Sequence, residues 1–196
     1  MGEGGALLIN NEAYTESAEI MREKGTNRSN FLRGQVDKYT WIDWGSSYLP
    51  SDISAACLEP QLLCADEINK NRLASWSTYY NQLTPLAEQG FFELPVVPKS
   101  CEHNAHIFYL KFADIDTRSD FIQHMKTKQI CCVFHYVALH SSPAGQKYCR
   151  FSGTDEFTTA HSAMLVRLPL YYGMKEEELA RVISEVRNFC EQYLQK

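Results

Sequence analysis

Apolar side chains recur at roughly helical spacing from Ala13 to Lys24, and this pattern predicts a helix there. Gly25 follows as a natural C-terminal cap, because glycine readily adopts the left-handed backbone that ends helices. Upstream, the apolar run Ala6–Ile9 predicts a short buried strand. Between Gly25 and Pro50 the periodicity disappears, and a loop of this length is usually functional or disordered. Its tyrosines and tryptophans favour the functional alternative.

A second helical region begins at Ser51–Asp52, whose side chains can accept the free amide hydrogens of a first turn. Apolar residues continue the pattern toward Leu83. Pro60 lacks the amide hydrogen that the helical ladder needs, so we expect one bent long helix or two consecutive helices. Pro85 and then Gly90 are expected to close the region.

The next part of the chain alternates between extended and helical patterns. Aromatic and branched residues predict strands at His106–Phe112 and Ile130–Val137. Between them we predict a helix at Thr117–Lys128, which Thr117 and Asp120 would cap through their capping-box spacing. Ser141–Gly153 is rich in turn formers and predicts a loop.

The last stretch, from Met174 onward, gives the clearest helical pattern in the sequence. Three consecutive glutamates precede the apolar positions and favour a helix N-terminus. One face of the predicted helix is apolar and comprises Leu179, Val182, Ile183, Val186, Phe189, Cys190 and Tyr193. Strands interleaved with helices indicate an α/β or α+β class.

Composition narrows the classes of protein. The chain has 196 residues, 44% hydrophobic, which argues against general disorder. A net charge of −5 argues against a dedicated nucleic-acid binder, and no apolar stretch approaches the length of a membrane helix. No signal peptide is recognisable at the start, so we expect a cytoplasmic protein without nucleic-acid or membrane partners.

The cysteines and histidines raise the question of a metal or thiol site. Seven cysteines, an odd number, favour reduced thiols. Cys101 lies near two histidines, and the pair Cys131–Cys132 precedes two more, but neither set has the spacing of a structural zinc site. We therefore expect no metal, and cysteines that are mostly buried and apolar. A nucleophilic thiol at Cys131 or Cys132 stays a distant alternative.

The long loop carries a local positive charge. From Arg22 to Lys38 the net charge is +3, within a chain of −5. Aromatic residues follow at Tyr39, Trp41, Trp44 and Tyr48. Cations beside aromatic faces suit a phosphate-bearing ligand with a flat or sugar-like body. An ordinary solvated basic loop explains the composition slightly better when composition alone is considered.

Several ordered motifs resemble the PLP-dependent sugar-nucleotide aminotransferases of fold type I. The motifs lie at residues 2–10, 22–28, 33–41, 45–49, 51–56 and 135–145. The resemblance implies an α/β fold: the C-terminal part of such an enzyme, comprising the end of the large domain at 1–50, a long kinked helical region at 51–84, and a small α/β domain at 85–196. It implies amino transfer from glutamate to a dTDP-4-keto-6-deoxyhexose, with pyridoxal 5'-phosphate (PLP) as cofactor.

The resemblance also implies which residues form the site. Family members are homodimers with shared active sites, and Ser47 matches the position that reaches the PLP phosphate of the partner subunit. Arg28, Lys38, Tyr39 and Tyr48 match the loop that approaches the sugar nucleotide. In the small domain, substrate contacts are implied for His135, Tyr136 and His140.

No catalytic residue is assigned, because Lys24 and Lys38 match family positions other than the Schiff-base lysine. In the family that lysine lies shortly before the motif at residues 2–5, in a half that binds most of the cofactor. We therefore expect this chain alone to be inactive. Pro60 and Ala138 depart from the family pattern, and an inactive fragment or a non-catalytic nucleotide-sugar-binding module is the competing hypothesis.

Overall fold

A computed structural model describes residues 4–194 and divides the chain into two units, which meet in sequence at Ala65 and Asp66. The first unit contains a 3-10 turn at Glu12–Tyr14 and three helices. These helices are α1 (Thr15–Arg22), α2 (Arg28–Leu32) and α3 (Asp52–Leu63). As the periodicity predicted, α1 ends just before Gly25, whose φ is +74°.

The expected strand at Ala6–Ile9 is absent, because this segment forms no ladder and its side chains are exposed, Leu8 to 84%. Two consecutive helices form in the region of Pro60, which is one of the two outcomes expected, but the break does not fall at the proline itself. Helix α3 runs through Pro60 to Leu63, and the break falls at Cys64, before α4 begins at Ala65. Nor does Pro85 close the helical region, since α4 extends to Glu88.

The second unit is built on a three-stranded antiparallel sheet with the order β1-β3-β2. The strands are β1 (Phe108–Lys111), β2 (Val133–Phe134) and β3 (Leu165–Leu168). Besides α4 (Ala65–Glu88), its helices are α5 (Ile115–Thr127), α6 (Pro143–Tyr148), α7 (Thr158–Met164) and α8 (Glu176–Tyr193).

Three predictions in the second unit need correction. The strand predicted at Ile130–Val137 shrinks to Val133–Phe134, and the predicted loop at Ser141–Gly153 contains α6. Helix α5 is capped by Asp114, whose carboxylate accepts the Thr117 amide at 2.7 Å, and not by Thr117 with Asp120. The central strand β3 carried no recognised signal in the sequence.

The core of the second unit lies between the sheet and the helices α4, α5 and α8. Tyr79, on α4, is fully buried and its hydroxyl donates to the Pro169 carbonyl at 2.9 Å. The apolar face of α8 is buried as predicted, apart from Tyr193, which is exposed. Packed aromatic rings fill the centre, among them Phe108, Phe112, Phe121 and Phe189.

Most cysteines are exposed, contrary to the expectation of burial. Only Cys132 and Cys190 are buried, and burial raises the pKa of each thiol to about 12. Cys131 is exposed beside the buried Cys132, as opposite faces of an extended segment require. The helices within residues 4–194 include none that is long and apolar enough to cross a membrane.

Candidate functional site

The long loop of the first unit folds around a cleft of about 730 Å³. Backbone segments from both ends of the loop form its wall, joined by a bridge between Glu23 and Ser47. The lining residues are predominantly polar and comprise Arg22, Glu23, Lys24, Thr26, Arg28, Tyr39, Ser47, Leu49, Pro50, Ser51 and Asp52.

Two glycines allow the loop ends to approach each other. A Cβ on Gly45 would lie 2.1 Å from the Gly25 amide nitrogen, and a Cβ on Gly25 would lie 1.7 Å from the Asp43 carbonyl oxygen. The Gly25 carbonyl accepts the amides of Ile42 and Asp43 at 2.7 and 3.0 Å. Only residues without a side chain permit this contact, so the glycines position the cleft wall that carries Ser47.

Positive charge lines one side of the cleft. Arg28 lies 3.5 Å from the carboxylate of Glu23, which is only 8% exposed and is also a hydrogen-bond acceptor for Ser29. Arg22 and the exposed Lys24 add two cations, and no carboxylate within residues 4–194 lies within ion-pair distance of either. Two carboxylates, Glu23 and Asp52, therefore line the cleft together with three cations, which leaves a net charge of +1 that suits an anion.

Some aromatic residues of the loop line the cleft and others do not. Tyr39 lines the cleft and its ring packs on Phe31 with centroids 5.7 Å apart. Trp41 and Trp44 are exposed and do not line the cleft, although the Trp41 indole donates to the Asp43 carbonyl at 2.7 Å. Stacking within the cleft therefore falls to Tyr39 alone among them.

Of the five loop residues that the sequence indicated, the structure brings three together. Arg28, Tyr39 and Ser47 line the cleft, whereas Lys38 and Tyr48 do not. The Tyr48 amide nevertheless donates to the Arg22 carbonyl at 3.1 Å, which fixes the chain next to Ser47. Sequence reasoning missed Arg22 and Lys24 as individual lining residues, although both contributed to the positive charge of the loop.

In the second unit, His135 and Tyr136 form a small cluster with Arg167. The two rings lie 5.6 Å apart, and the Arg167 guanidinium sits over the Tyr136 ring at 5.5 Å. The Nδ1 atom of His135 is buried and has no hydrogen-bond partner in the part of the chain that the structure describes. Burial, with the nearby charge of Arg167 as a second cause, lowers the pKa of His135 below its ordinary value.

This shift predicts an acid-sensitive contribution to folding. The unfolded chain binds a proton at the ordinary pKa of histidine and the folded chain only at lower pH, so the free energy of unfolding decreases as the pH is lowered from above that ordinary value to below it. Urea unfolding of His135→Gln should show a weaker loss over that range than the wild type. The exposed His161→Gln variant is the control, and equal slopes for His135→Gln and wild type would contradict the prediction.

His140 lies apart from that cluster and has its own partners. Its Nε2 is 2.7 Å from Asp155 Oδ2, and its ring stacks on Phe151 with centroids 4.2 Å apart. The residues between 4 and 194 contain no group of three or more histidine, cysteine or acidic side chains arranged to hold a metal ion.

Comparison with known proteins identifies the family to which the chain belongs. Residues 1–187 match the DegT/DnrJ/EryC1/StrS aminotransferase family, and the chain belongs to that family. The family consists of PLP-dependent aminotransferases, so this part of the resemblance is confirmed.

Similar proteins and structures support the fold. An uncharacterized protein of Methanocaldococcus jannaschii is 27% identical over 195 residues, which is 95% of this chain and 49% of that protein. The aminotransferase TlmJ from Streptoalloteichus hindustanus superimposes with a TM-score of 0.76 at 17% identity, covering 94% of this chain and 47% of that one.

A sugar aminotransferase from Streptococcus pneumoniae in its PMP form gives a TM-score of 0.75 at 17% identity, covering 95% of this chain and 45% of that one. The chain thus spans about half the length of the proteins it matches. It has the α/β fold of PLP aminotransferases, and the extent of the match is consistent with their C-terminal portion.

Proposed function

We propose that this chain is part of an aminotransferase that moves an amino group from glutamate to a dTDP-4-keto-6-deoxyhexose. The observation that carries the proposal is the cleft of the first unit, where Arg28, Tyr39 and Ser47 come together beside two further cations. A dTDP-sugar carries a pyrophosphate for the cations and one flat ring, the thymine base, for the tyrosine.

The residues of the cleft fit a phosphate of PLP as well. Ser47 supplies a neutral hydroxyl on a wall that Gly45 holds against Gly25, and a net positive charge lies nearby. PLP supplies an electron sink for amino transfer, while the protein supplies binding and orientation. Ser47 would hold the phosphate of the cofactor in the partner subunit, as the resemblance implies.

The remaining substrate contacts are assigned by residue. Arg28 and Lys38 provide charge for the pyrophosphate, and Tyr39 and Tyr48 provide aromatic faces. In the second unit, His135, Tyr136 and His140 contact the substrate. Tyr136 is exposed, and His135 and His140 are each partly exposed, so part of each side chain is open to a ligand.

The particular enzyme that we propose is a dTDP-4-amino-4,6-dideoxygalactose transaminase. It would serve bacterial cell-surface polysaccharide synthesis of the enterobacterial common antigen type, including lipopolysaccharide biosynthesis. We propose a cytoplasmic homodimer with shared active sites. In it, residues 1–50 form the end of the large domain, residues 51–84 form the connecting helical region, and residues 85–196 form the small domain.

A second candidate is a fragment without turnover that binds nucleotide sugars. No lysine of this chain matches the family position that attaches the cofactor, and the chain spans about half the length of its relatives. Both candidates predict no turnover by the purified chain, and PLP-dependent turnover of a dTDP-4-keto sugar by this chain alone would contradict that prediction and exclude the fragment without turnover.

Binding of dTDP to cleft variants tests the proposed ligand. Arg28→Gln and Lys24→Gln each remove one charge from the wall, and we expect each to weaken dTDP binding about tenfold by calorimetry, as loss of a charge-assisted hydrogen bond implies. Lys24 forms no ion pair with any residue between 4 and 194, so its replacement separates ligand binding from stability.

Arg33→Gln is the matched control, because Arg33 lies in the same loop, pairs with Glu19 and does not line the cleft. We expect less than about a twofold change in dTDP affinity for this variant. The lost ion pair is exposed and lies outside the cleft, and such pairs contribute little to the stability of the protein. Equal effects of all three substitutions would contradict a specific phosphate site, because they would indicate only a response to net charge.

A further inference from the structure

The imidazole of His140 is held from two sides. Asp155 Oδ2 lies 2.7 Å from its Nε2, and the ring of Phe151 stacks against it at a centroid distance of 4.2 Å and an interplanar angle of 29°. The side chains of His140 and Asp155 are each 21% exposed. The ring is thus fixed in orientation while one part of it stays open to solvent.

Asp155 is itself fixed by the first turn of α7. The Thr159 amide donates to Asp155 Oδ1 at 3.2 Å, and the Thr159 hydroxyl donates to Oδ2. The bond from Thr159, followed by the bond from His140, lowers the pKa of Asp155 to about 2. The carboxylate therefore has only acceptor atoms, and the proton shared with His140 belongs to Nε2.

The backbone that carries His140 is equally constrained. A Cβ on Gly145 would lie 1.8 Å from the Leu139 carbonyl oxygen, so α6 packs directly on the turn that contains His140. Ser142 caps α6 through the Gly145 amide at 3.0 Å, and the Ser141 hydroxyl donates to the Ala138 carbonyl at 3.0 Å. The fixed backbone and the fixed ring together define where the second ring nitrogen points.

We propose that Asp155 is the positioning residue of His140: it retains the proton on Nε2 and so presents Nδ1 as an acceptor for a hydroxyl group of the sugar. Within residues 4–194, no protein group forms a hydrogen bond with His140 Nδ1. Neutral imidazole has one donor and one acceptor, so occupying the donor with a carboxylate leaves the acceptor to the ligand. The inference rests on the proposed function, because it concerns a nucleotide-sugar ligand.

The test compares dTDP with dTDP-glucose, because only the second probe carries a hexose. We expect Asp155→Ala to weaken dTDP-glucose binding about fivefold to tenfold, the effect of one hydrogen bond, and to leave dTDP binding unchanged. Asp155→Asn retains an acceptor oxygen and should restore affinity to within about twofold. In a His140→Ala background, Asp155→Ala should have no further effect, since both act through one contact.

Asp114→Ala is the matched control for a purely structural role. Asp114 accepts the amide and hydroxyl of Thr117 at 2.7 and 2.9 Å, in the way that Asp155 accepts those of Thr159, but it contacts no histidine. We expect this variant to lower thermal stability as Asp155→Ala does, with unchanged binding of both probes. Thr159→Val removes the hydroxyl that donates to Asp155 and lies 3.5 Å from His140 Nε2; it should weaken dTDP-glucose binding by a smaller factor and serves if Asp155→Ala fails to fold.

A spectroscopic signal tests the contact without any ligand. A His140 Nε2–H proton bonded to Asp155 should be protected from exchange and visible by NMR in the wild type and Asp114→Ala, and absent in Asp155→Ala. Wild-type protein that binds neither probe overturns the proposed function together with this inference. Wild-type binding of dTDP-glucose that Asp155→Ala and Thr159→Val leave unchanged overturns this inference alone.

Discussion

Replacement of Gly45 with alanine is expected to abolish phosphate binding at the cleft. The added Cβ would lie 2.1 Å from the Gly25 nitrogen and 2.7 Å from the Met21 carbonyl oxygen, and both are backbone atoms that cannot rotate away. The wall that carries Ser47 must therefore move. We expect dTDP binding to fall below detection by calorimetry, with a loss of about 1–3 kcal/mol of stability from overpacking.

Gly5→Ala is the control for this substitution. A Cβ on Gly5 would have no atom within 4 Å, so the same chemical change meets open space. Hydrogen exchange should show faster opening of residues 41–48 in Gly45→Ala and not in Gly5→Ala. A Gly45→Ala protein that binds dTDP like the wild type would show that close approach of the loop ends does not form the site.

Truncation of Phe121 is expected to cause the largest loss of stability in the second unit. The side chain is fully buried, and its ring lies 5.0 Å from Phe112 and 5.2 Å from Phe189 by centroids. Phe121→Ala removes the whole ring from the space between α5 and α8. By analogy with large-to-small core substitutions, we expect a loss of about 3–5 kcal/mol in urea unfolding.

The control keeps the site apolar and nearly filled. Phe121→Leu should cost less than half of what Phe121→Ala costs, because less cavity is left behind. Tyr193 provides a second comparison: it was predicted on the buried face of α8 but is exposed, and Tyr193→Ala should change stability little. A small effect of Phe121→Ala would contradict the assignment of Phe121 to the core.

Local patterns predicted the helices well where amphipathic periodicity was strong. Helix α8 appears where its apolar face and acidic first turn indicated, and α1 ends before Gly25. The helix breaks predicted at the prolines do not occur there, because Pro60 and Pro85 are both accommodated within helices. Strand β3 was missed because its four residues pair with β1, and two of them also with β2, and no local pattern reveals partners so distant in sequence.

The candidate site was only partly visible in the sequence. The positive charge and aromatics of the loop indicated a phosphate-bearing ligand, and motif order supplied Arg28, Tyr39 and Ser47. The close contact between Gly25 and Gly45 depends on tertiary structure, and so does the pairing of His140 with Asp155. Neither can be read from residues that lie 20 and 15 positions apart in the sequence.

The most direct test of the central claim is an NMR titration of the ¹⁵N-labelled chain with a dTDP-sugar. If the cleft binds the pyrophosphate, saturable shifts should appear at the amides of Lys24, Arg28, Tyr39 and Ser47. The same titration with Lys24→Gln should require a higher ligand concentration for saturation. Absence of saturable shifts in the wild type, or shifts confined to residues outside the cleft, would contradict the proposed nucleotide-sugar site.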